Sequence, residues 1–139
     1  MCRLIYPDSN VWIAAARRDR GDPAYDAAWR VFLRDGAVVA SSQFVLAEVL
    51  PAPLRRRNDL ELKSISLLRR VVERWAAETR EVIELAVVEM SRVDGLAPMD
   101  AFHLAAAHSL GCAEFVTLEK PGKPMYRSRL VKVEWLMGA

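Results

Sequence analysis

Four acids in the 139-residue chain stand where chemistry gathers in a protein of short strands and helices. Asp8 directly follows the apolar run Arg3-Leu4-Ile5-Tyr6-Pro7. Glu48 sits within Phe44-Val45-Leu46-Ala47-Glu48-Val49-Leu50. A carboxylate in such a run is partly buried and needs a cation, a donor or a raised pKa. Asp100 falls in the first turn of an Ala-rich segment opened by Pro98, and Glu119 comes two residues after Thr117 at the end of another apolar run. Each acid has an ordinary reading taken alone. Asp8 can cap a helix, Asp100 can favour a helix dipole, Glu48 can face solvent, and Glu119 can be a loop charge beside Lys120. Together they point further, because crowded carboxylates repel one another unless a divalent cation neutralises them. Oxygen donors without a cysteine cluster or paired histidines favour Mg²⁺ or Mn²⁺ over Zn²⁺. His103 and His108 are five apart and do not share a helix face as a metalloprotease pair would. His103 lies one turn from Asp100 and can lean toward the site, but reads first as a packed core or boundary residue.

The elements that must position these acids follow from periodicity and punctuation. A strand over 3–6 ends at Pro7-Asp8, since proline has no N–H to give a ladder. A helix over 11–16 follows, capped by Ser9 or Asn10. Asp22-Pro23 opens a helix to about 34, marked by Tyr25, Trp29 and Phe32. After the Asp35-Gly36 turn come a strand over 37–40 and a helix over 43–50, capped by Ser41 or Ser42 and stopped by Pro51 and Pro53. Leu62, Ile65, Leu68, Val72 and Trp75 predict one long helix. Alternation at Glu81-Val82-Ile83-Glu84 predicts a strand, followed by a helix over 85–93. A helix over 98–110 closes at Gly111. A strand over 113–118, a basic loop over 120–129 and a strand over 131–133 complete the chain. Strands alternating with helices predict a short parallel sheet flanked by helices on both faces. Ligands in such sheets bind at the carboxyl ends of the strands, where the acids fall.

Composition sets the outer bounds. A chain of 139 residues fits a single domain spanning 1–139, with a core large enough to need no disulfide or structural metal. Apolar residues at 53% exclude disorder as the main state. The net charge of +2 permits a nucleic-acid partner without arguing for one. Cys2 and Cys112 stand far apart and read as reduced thiols of a cytoplasmic protein. Asp8 and Asn10 interrupt the N-terminal apolar stretch, so no signal peptide is expected, and no run is long enough to span a membrane. Trp12, Trp29, Trp75 and Trp135 read as core or interface rather than base-stacking residues.

The order of the acidic segments resembles that of PIN-domain ribonucleases. Leu4-Ile5-Tyr6-Pro7-Asp8-Ser9-Asn10-Val11-Trp12-Ile13-Ala14 resembles their opening strand–Asp–helix, and Phe44-Val45-Leu46-Ala47-Glu48-Val49 their second acidic motif. Gly95-Leu96-Ala97-Pro98-Met99-Asp100-Ala101-Phe102-His103-Leu104-Ala105-Ala106-Ala107 resembles the third and most specific motif. Glu114-Phe115-Val116-Thr117-Leu118-Glu119-Lys120 resembles the fourth. The resemblance implies a PIN-like three-layer α/β/α fold and a Mg²⁺- or Mn²⁺-dependent endoribonuclease, similar to the VapC-type toxins of toxin–antitoxin pairs. It implies that Asp8, Glu48 and Asp100 are metal-site acids supported by Asn10 and Thr117, with Glu119 as the fourth. Many members carry Asp at that fourth position. Glutamate reaches one methylene further, and can bind metal directly, act through water or point away. RNA as substrate, a cognate antitoxin and a homodimer follow as partners; the apolar stripe running to Trp75 can serve as a dimer face, and would equally satisfy a monomer core. Arg17, Arg18, Arg20, Lys120, Lys123, Arg127 and Arg129 are placed to rim a cleft for RNA. Arg55-Arg56-Arg57 read as solvated charge or a partner surface. The alternative is a catalytically degenerate PIN-like module that binds RNA or protein, prompted by Glu119. A receiver-like phosphorylation domain ranks third, because the second strand ends in Ala40-Ser41 rather than in Asp.

Overall fold

Three largely apolar runs supply the centre of the sheet. In a computed structural model, which describes residues 3–77 and 79–138, these are β1 (Arg3–Pro7), β2 (Ala37–Ser41) and β4 (Glu114–Thr117), while β5 (Lys132–Trp135), which alternates charged and apolar residues, forms one edge. A two-residue strand, β3 (Arg74–Trp75), adds an edge. All pairings are parallel and the order is β3-β2-β1-β4-β5, which puts β1 in the middle. Ile5, Tyr6, Val39, Ala40, Phe115 and Val116 are buried, as expected for strands covered on both faces.

Seven α-helices flank the sheet among the described residues: α1 (Ser9–Ala16), α2 (Pro23–Phe32), α3 (Gln43–Val49), α4 (Pro51–Arg55), α5 (Asp59–Val71), α6 (Thr79–Arg92) and α7 (Pro98–Ser109). The architecture is a three-layer α/β/α arrangement. α1 packs against α2, α5 and α3, while α7 packs against α6, β2 and β4. Trp12 is fully buried and meets Phe32 edge-on, and the indole N–H of Trp29 donates to the Ala15 carbonyl at 2.9 Å. Both therefore join the α1–α2 core, as their spacing predicts. Gly111 stops α7 in the left-handed conformation at φ 73°, where its N–H donates to the His108 carbonyl.

Several boundaries differ from the sequence reading. Helix α1 begins two residues earlier than expected, because Asp8 is its N-cap and accepts from the Ser9 amide. Ser9 and Asn10 lie inside the helix. Pro51 does not end the helical region; it takes the first position of α4, where its missing N–H costs nothing. The long helix stops at Val71, and Trp75 pairs with Ser41 as part of β3. Residues 81–84 are helical, in α6. The buried positions Val82, Ala86, Glu89 and Val93 recur at helical spacing, and this periodicity outweighs the local alternation. Cys2 lies outside the described residues. No helix among the described residues is long and apolar enough to cross a membrane.

Candidate metal and catalytic site

The site grows from the seam between β1 and β4. Pro7 closes β1, and the next amide, Asp8 N–H, donates to the Val116 carbonyl at 2.8 Å. This bond carries the chain across the carboxyl edge and straight into α1. Asp8 Oδ1 accepts the Ser9 amide and Oδ2 accepts the Thr117 hydroxyl, each at 2.8 Å. Thr117 Oγ1 in turn accepts from Asn10 Nδ2 at 3.2 Å and from the Glu119 amide at 3.1 Å. Asn10 Oδ1 accepts the Leu118 amide at 3.1 Å. Asn10 and Thr117 thus stitch the start of α1 to the end of β4 and fix the Asp8 carboxylate between them. Asp8 is only 5% exposed, and burial raises its carboxyl above the usual range; the nearby Glu48 charge adds to this, while His103 and the Thr117 and Ser9 bonds oppose it.

A second chain of polar groups enters from α3 and α7. Glu48 Oε1 accepts from the Ser9 hydroxyl at 2.6 Å and meets His103 Nε2 at 2.5 Å. His103 Nδ1 faces the Tyr6 hydroxyl at 2.9 Å, and that hydroxyl lies 2.7 Å from Ser42 Oγ. Burial pushes the Tyr6 phenol far up, so it keeps its proton. The Tyr6 hydroxyl therefore bridges Ser42 and His103, and the opposite ring nitrogen of His103 points at Glu48. His103 holds the Glu48 carboxyl below its usual range, against a smaller opposing effect of burial. The Glu48 side chain is 35% exposed, which agrees with the expectation of partial burial and a specific partner. Ser42 occupies the N-cap position of α3 as expected, but makes no side-chain cap bond.

Asp100 lies in the first turn of α7 and is half-buried. Its carboxyl is pushed up to about 6, mainly by burial and then by the charges of Asp8, Glu48 and Glu119; only His103 opposes them. The four acids predicted from sequence therefore share one electrostatic neighbourhood. Glu119 is half-buried beyond β4, and its carbonyl accepts the Tyr126 hydroxyl at 2.5 Å. Among the described residues, no three His, Cys, Asp or Glu side chains already stand in a geometry that would hold a metal ion. Both Asp8 oxygens are engaged within the seam, and Glu48 lies against His103. The donor set, all-carboxylate and mutually repulsive with Asp8 buried and Asp100 and Glu119 half-buried, has the chemistry of a site for a hard divalent cation.

The basic residues are dispersed. Arg18 Nε donates to Ser64 Oγ on α5 at 3.0 Å. Arg127 turns toward the end of α6 and donates to the Asp94 carbonyl, and Arg127 and Arg129 line a cleft with Glu89, Arg92 and Val93. Arg17, Arg20, Lys120 and Lys123 are exposed, as are Arg55, Arg56 and Arg57. Sequence reasoning offers Ser9 and Ser42 only as helix caps and does not place Tyr6 in the site, while His103 reads first as core, with the option of leaning toward the acids. It is indeed buried, yet it joins the acids directly. Its position three residues after Asp100 was the available signal.

The PIN domain family profile matches residues 5–120, a stretch that contains all four acids. The chain belongs to the PIN domain family. Solved PIN structures match its fold over nearly the whole length. VapBC2 from Rickettsia felis, bound to a DNA fragment from its promoter, aligns with a TM-score of 0.71 at 15% identity, covering 94% of this chain and 97% of that one. Mycobacterium tuberculosis VapC20, a sarcin–ricin loop cleaving toxin, aligns with a TM-score of 0.63 at 22% identity, covering 86% and 92%. No curated protein matches.

Proposed function

We propose that this PIN domain is a cytoplasmic Mg²⁺- or Mn²⁺-dependent endoribonuclease that hydrolyses RNA phosphodiester bonds, acting as the toxin of a toxin–antitoxin pair. The feature that carries the reading is the polar seam at the carboxyl ends of β1 and β4: Ser9 and Thr117 hold Asp8 there, the Ser9 hydroxyl also binds Glu48, and Asp100 in the first turn of α7 bears on the same cluster. Four carboxylates gathered at a sheet edge are unfavourable without a counter-ion and useful with one. Asp8, Asp100 and Glu48 would hold the cation, with Glu119 completing the ring directly or through water. A divalent cation bound there supplies charge neutralisation at the phosphate and an activated water. The residues of the chain prepare the place: Thr117 and Ser9 orient Asp8, and His103 keeps Glu48 ionised and turned inward. The likeness to a toxin that cleaves the sarcin–ricin loop supports RNA as the substrate class. The likeness to the toxin of a VapBC assembly supports an antitoxin partner.

The direct test combines cleavage with metal binding. Purified protein should cut single-stranded RNA with Mg²⁺, stop when EDTA is added, and resume with excess Mn²⁺. Calorimetric titration should show Mn²⁺ binding that Asp100→Asn weakens at least tenfold. Mn²⁺ binding without cleavage, or neither, would leave the non-cutting module as the better reading.

A further inference from the structure

A row of buried polar groups runs away from the acids, from Glu48 through His103 and Tyr6 to Ser42. Tyr6 lies in the central strand β1 with no exposed surface, and its ring stacks on Phe115 with centroids 5.5 Å apart. A phenylalanine would fill that space equally well, so packing does not account for the hydroxyl. The hydroxyl lies 2.7 Å from Ser42 Oγ and 2.9 Å from His103 Nδ1. Ser42 is buried at the N-cap of α3, where a serine ordinarily accepts from a first-turn amide. Its side chain makes no such bond and meets Tyr6 instead. His103 is buried too, and its other ring nitrogen, Nε2, lies 2.5 Å from Glu48 Oε1 and 3.3 Å from Ser9 Oγ. The row thus leaves α3 at Ser42, crosses β1 and α7, and returns to α3 at Glu48.

The chemistry of the row gives the Tyr6 hydroxyl a task. A lone pair on Nε2 would repel a carboxylate at that distance, so the ring must present a proton to Glu48. Nδ1 is then left to Tyr6, which can donate to it or, by passing its own proton to Ser42, accept from it. Tyr6 is the one polar partner of Nδ1 among the described residues. Without that hydroxyl, Nδ1 becomes a buried polar atom with no partner, and the ring gains a reason to turn over or to carry its proton on the wrong side. Glu48 Oε1 is tied by His103 and Ser9, whereas Oε2 has no partner within the chain among the described residues. Holding one oxygen limits where the other can go. We propose that Tyr6, seated on Ser42, is a positioning residue that acts through His103 to hold the Glu48 carboxylate, so that its second oxygen stays available to a cation. The proposal deepens the metal-dependent reading and rests on it.

The test applies two measurements to one set of variants. Tyr6→Phe keeps the ring that packs on Phe115 and removes only the hydroxyl. In the metal-free protein, proton–nitrogen NMR spectra of the His103 ring should show a single state with Nε2 protonated, and Tyr6→Phe should split it into two ring states. Mn²⁺ affinity by calorimetry should fall about fivefold in Tyr6→Phe and about twofold in Ser42→Ala, less than for a group that touches a metal ligand directly. A His103→Gln background supplies the decisive comparison, since a glutamine amide can present an N–H to Glu48 without help from Tyr6. In that background Tyr6→Phe should leave Mn²⁺ affinity unchanged. Equal losses in both backgrounds overturn the proposal and make the Tyr6 hydroxyl structural only. An unchanged His103 ring spectrum in Tyr6→Phe overturns it while Mn²⁺ binding by the native chain keeps the metal-dependent reading. If the native chain binds no Mn²⁺ but Tyr6→Phe still splits the ring signals, the metal-dependent reading fails and the hold of Tyr6 on His103 stands.

Discussion

Glu48 and Glu89 are both acids set in apolar helices, and both accept hydrogen bonds from a hydroxyl, yet their surroundings differ. Glu48 Oε1 takes Ser9 and His103, from two different helices, beside Asp8 and Asp100. Glu89 is 4% exposed, and its Oε2 takes the Ser128 hydroxyl at 2.5 Å and the Arg129 amide at 3.3 Å, from a single loop. Glu89 is the more buried of the two, so burial of an acid in an apolar run does not by itself mark a site. Glu61, equally buried, faces Asn58 and Arg56 at the start of α5 and is structural in the same way. What sets Glu48 apart is the company of other carboxylates at the ends of the strands. One region uses a carboxylate to hold a loop; the other collects carboxylates whose repulsion a cation would relieve.

The contrast can be broken most forcefully at Asp8. Asp8→Asn should lower RNA cleavage about a thousandfold, roughly 4 kcal/mol on the barrier, while stability stays within about 1 kcal/mol, since the lost charge is one that burial already disfavours. Cleavage surviving in that variant would remove the seam acid from the mechanism. Glu89→Ala should do the reverse. Leaving the Ser128 hydroxyl and Arg129 amide without their acceptor should cost about 2 kcal/mol in urea unfolding, with cleavage retained within about threefold. A smaller effect follows from pH. The Asp100 carboxyl, raised from 3.8 to about 6, takes up its proton as pH falls through about 6, so Mn²⁺ affinity and cleavage should drop in that window. Without metal the sign inverts for stability. A raised folded-state value stabilises the protein fully below the unfolded one and loses that effect as pH rises, so the metal-free midpoint should decline between about pH 4 and 6 and recover when Mn²⁺ is added. Asp8 works in the same direction and Glu48, held low by His103, in the opposite one. Ser128→Ala should cost about 1 kcal/mol. At the far end of the scale, Leu60→Ala on the exposed face of α5 should stay within about 0.5 kcal/mol.

The parts legible in the sequence were those that depend on local signals. Strands β1, β2 and β4 are short, largely apolar runs bounded by turn residues, β5 is signalled by Val131-Lys132-Val133, and three of the acids follow such a run or open a helix. Strand β3 was not legible, because two residues carry no periodicity and Trp75 continues the helical spacing of Leu68 and Val72. Residues 81–84 misled because four positions can alternate by chance, whereas the helical pattern emerges only over 82–93. His103 was hard to assign for another reason. Its partners Tyr6 and Glu48 lie 97 and 55 residues away, and nothing local records that they meet. The dispersal of Arg18, Arg127 and Arg129 onto neighbouring helices was invisible for the same reason.

The Asp8–Thr117 bond joins positions 109 apart in the chain. A polypeptide still growing on a ribosome has its first acid long before it has the threonine that steadies it or the strand that lies beside it. Whatever reaction this edge performs therefore waits until synthesis has passed Thr117 and the two distant segments have closed upon each other.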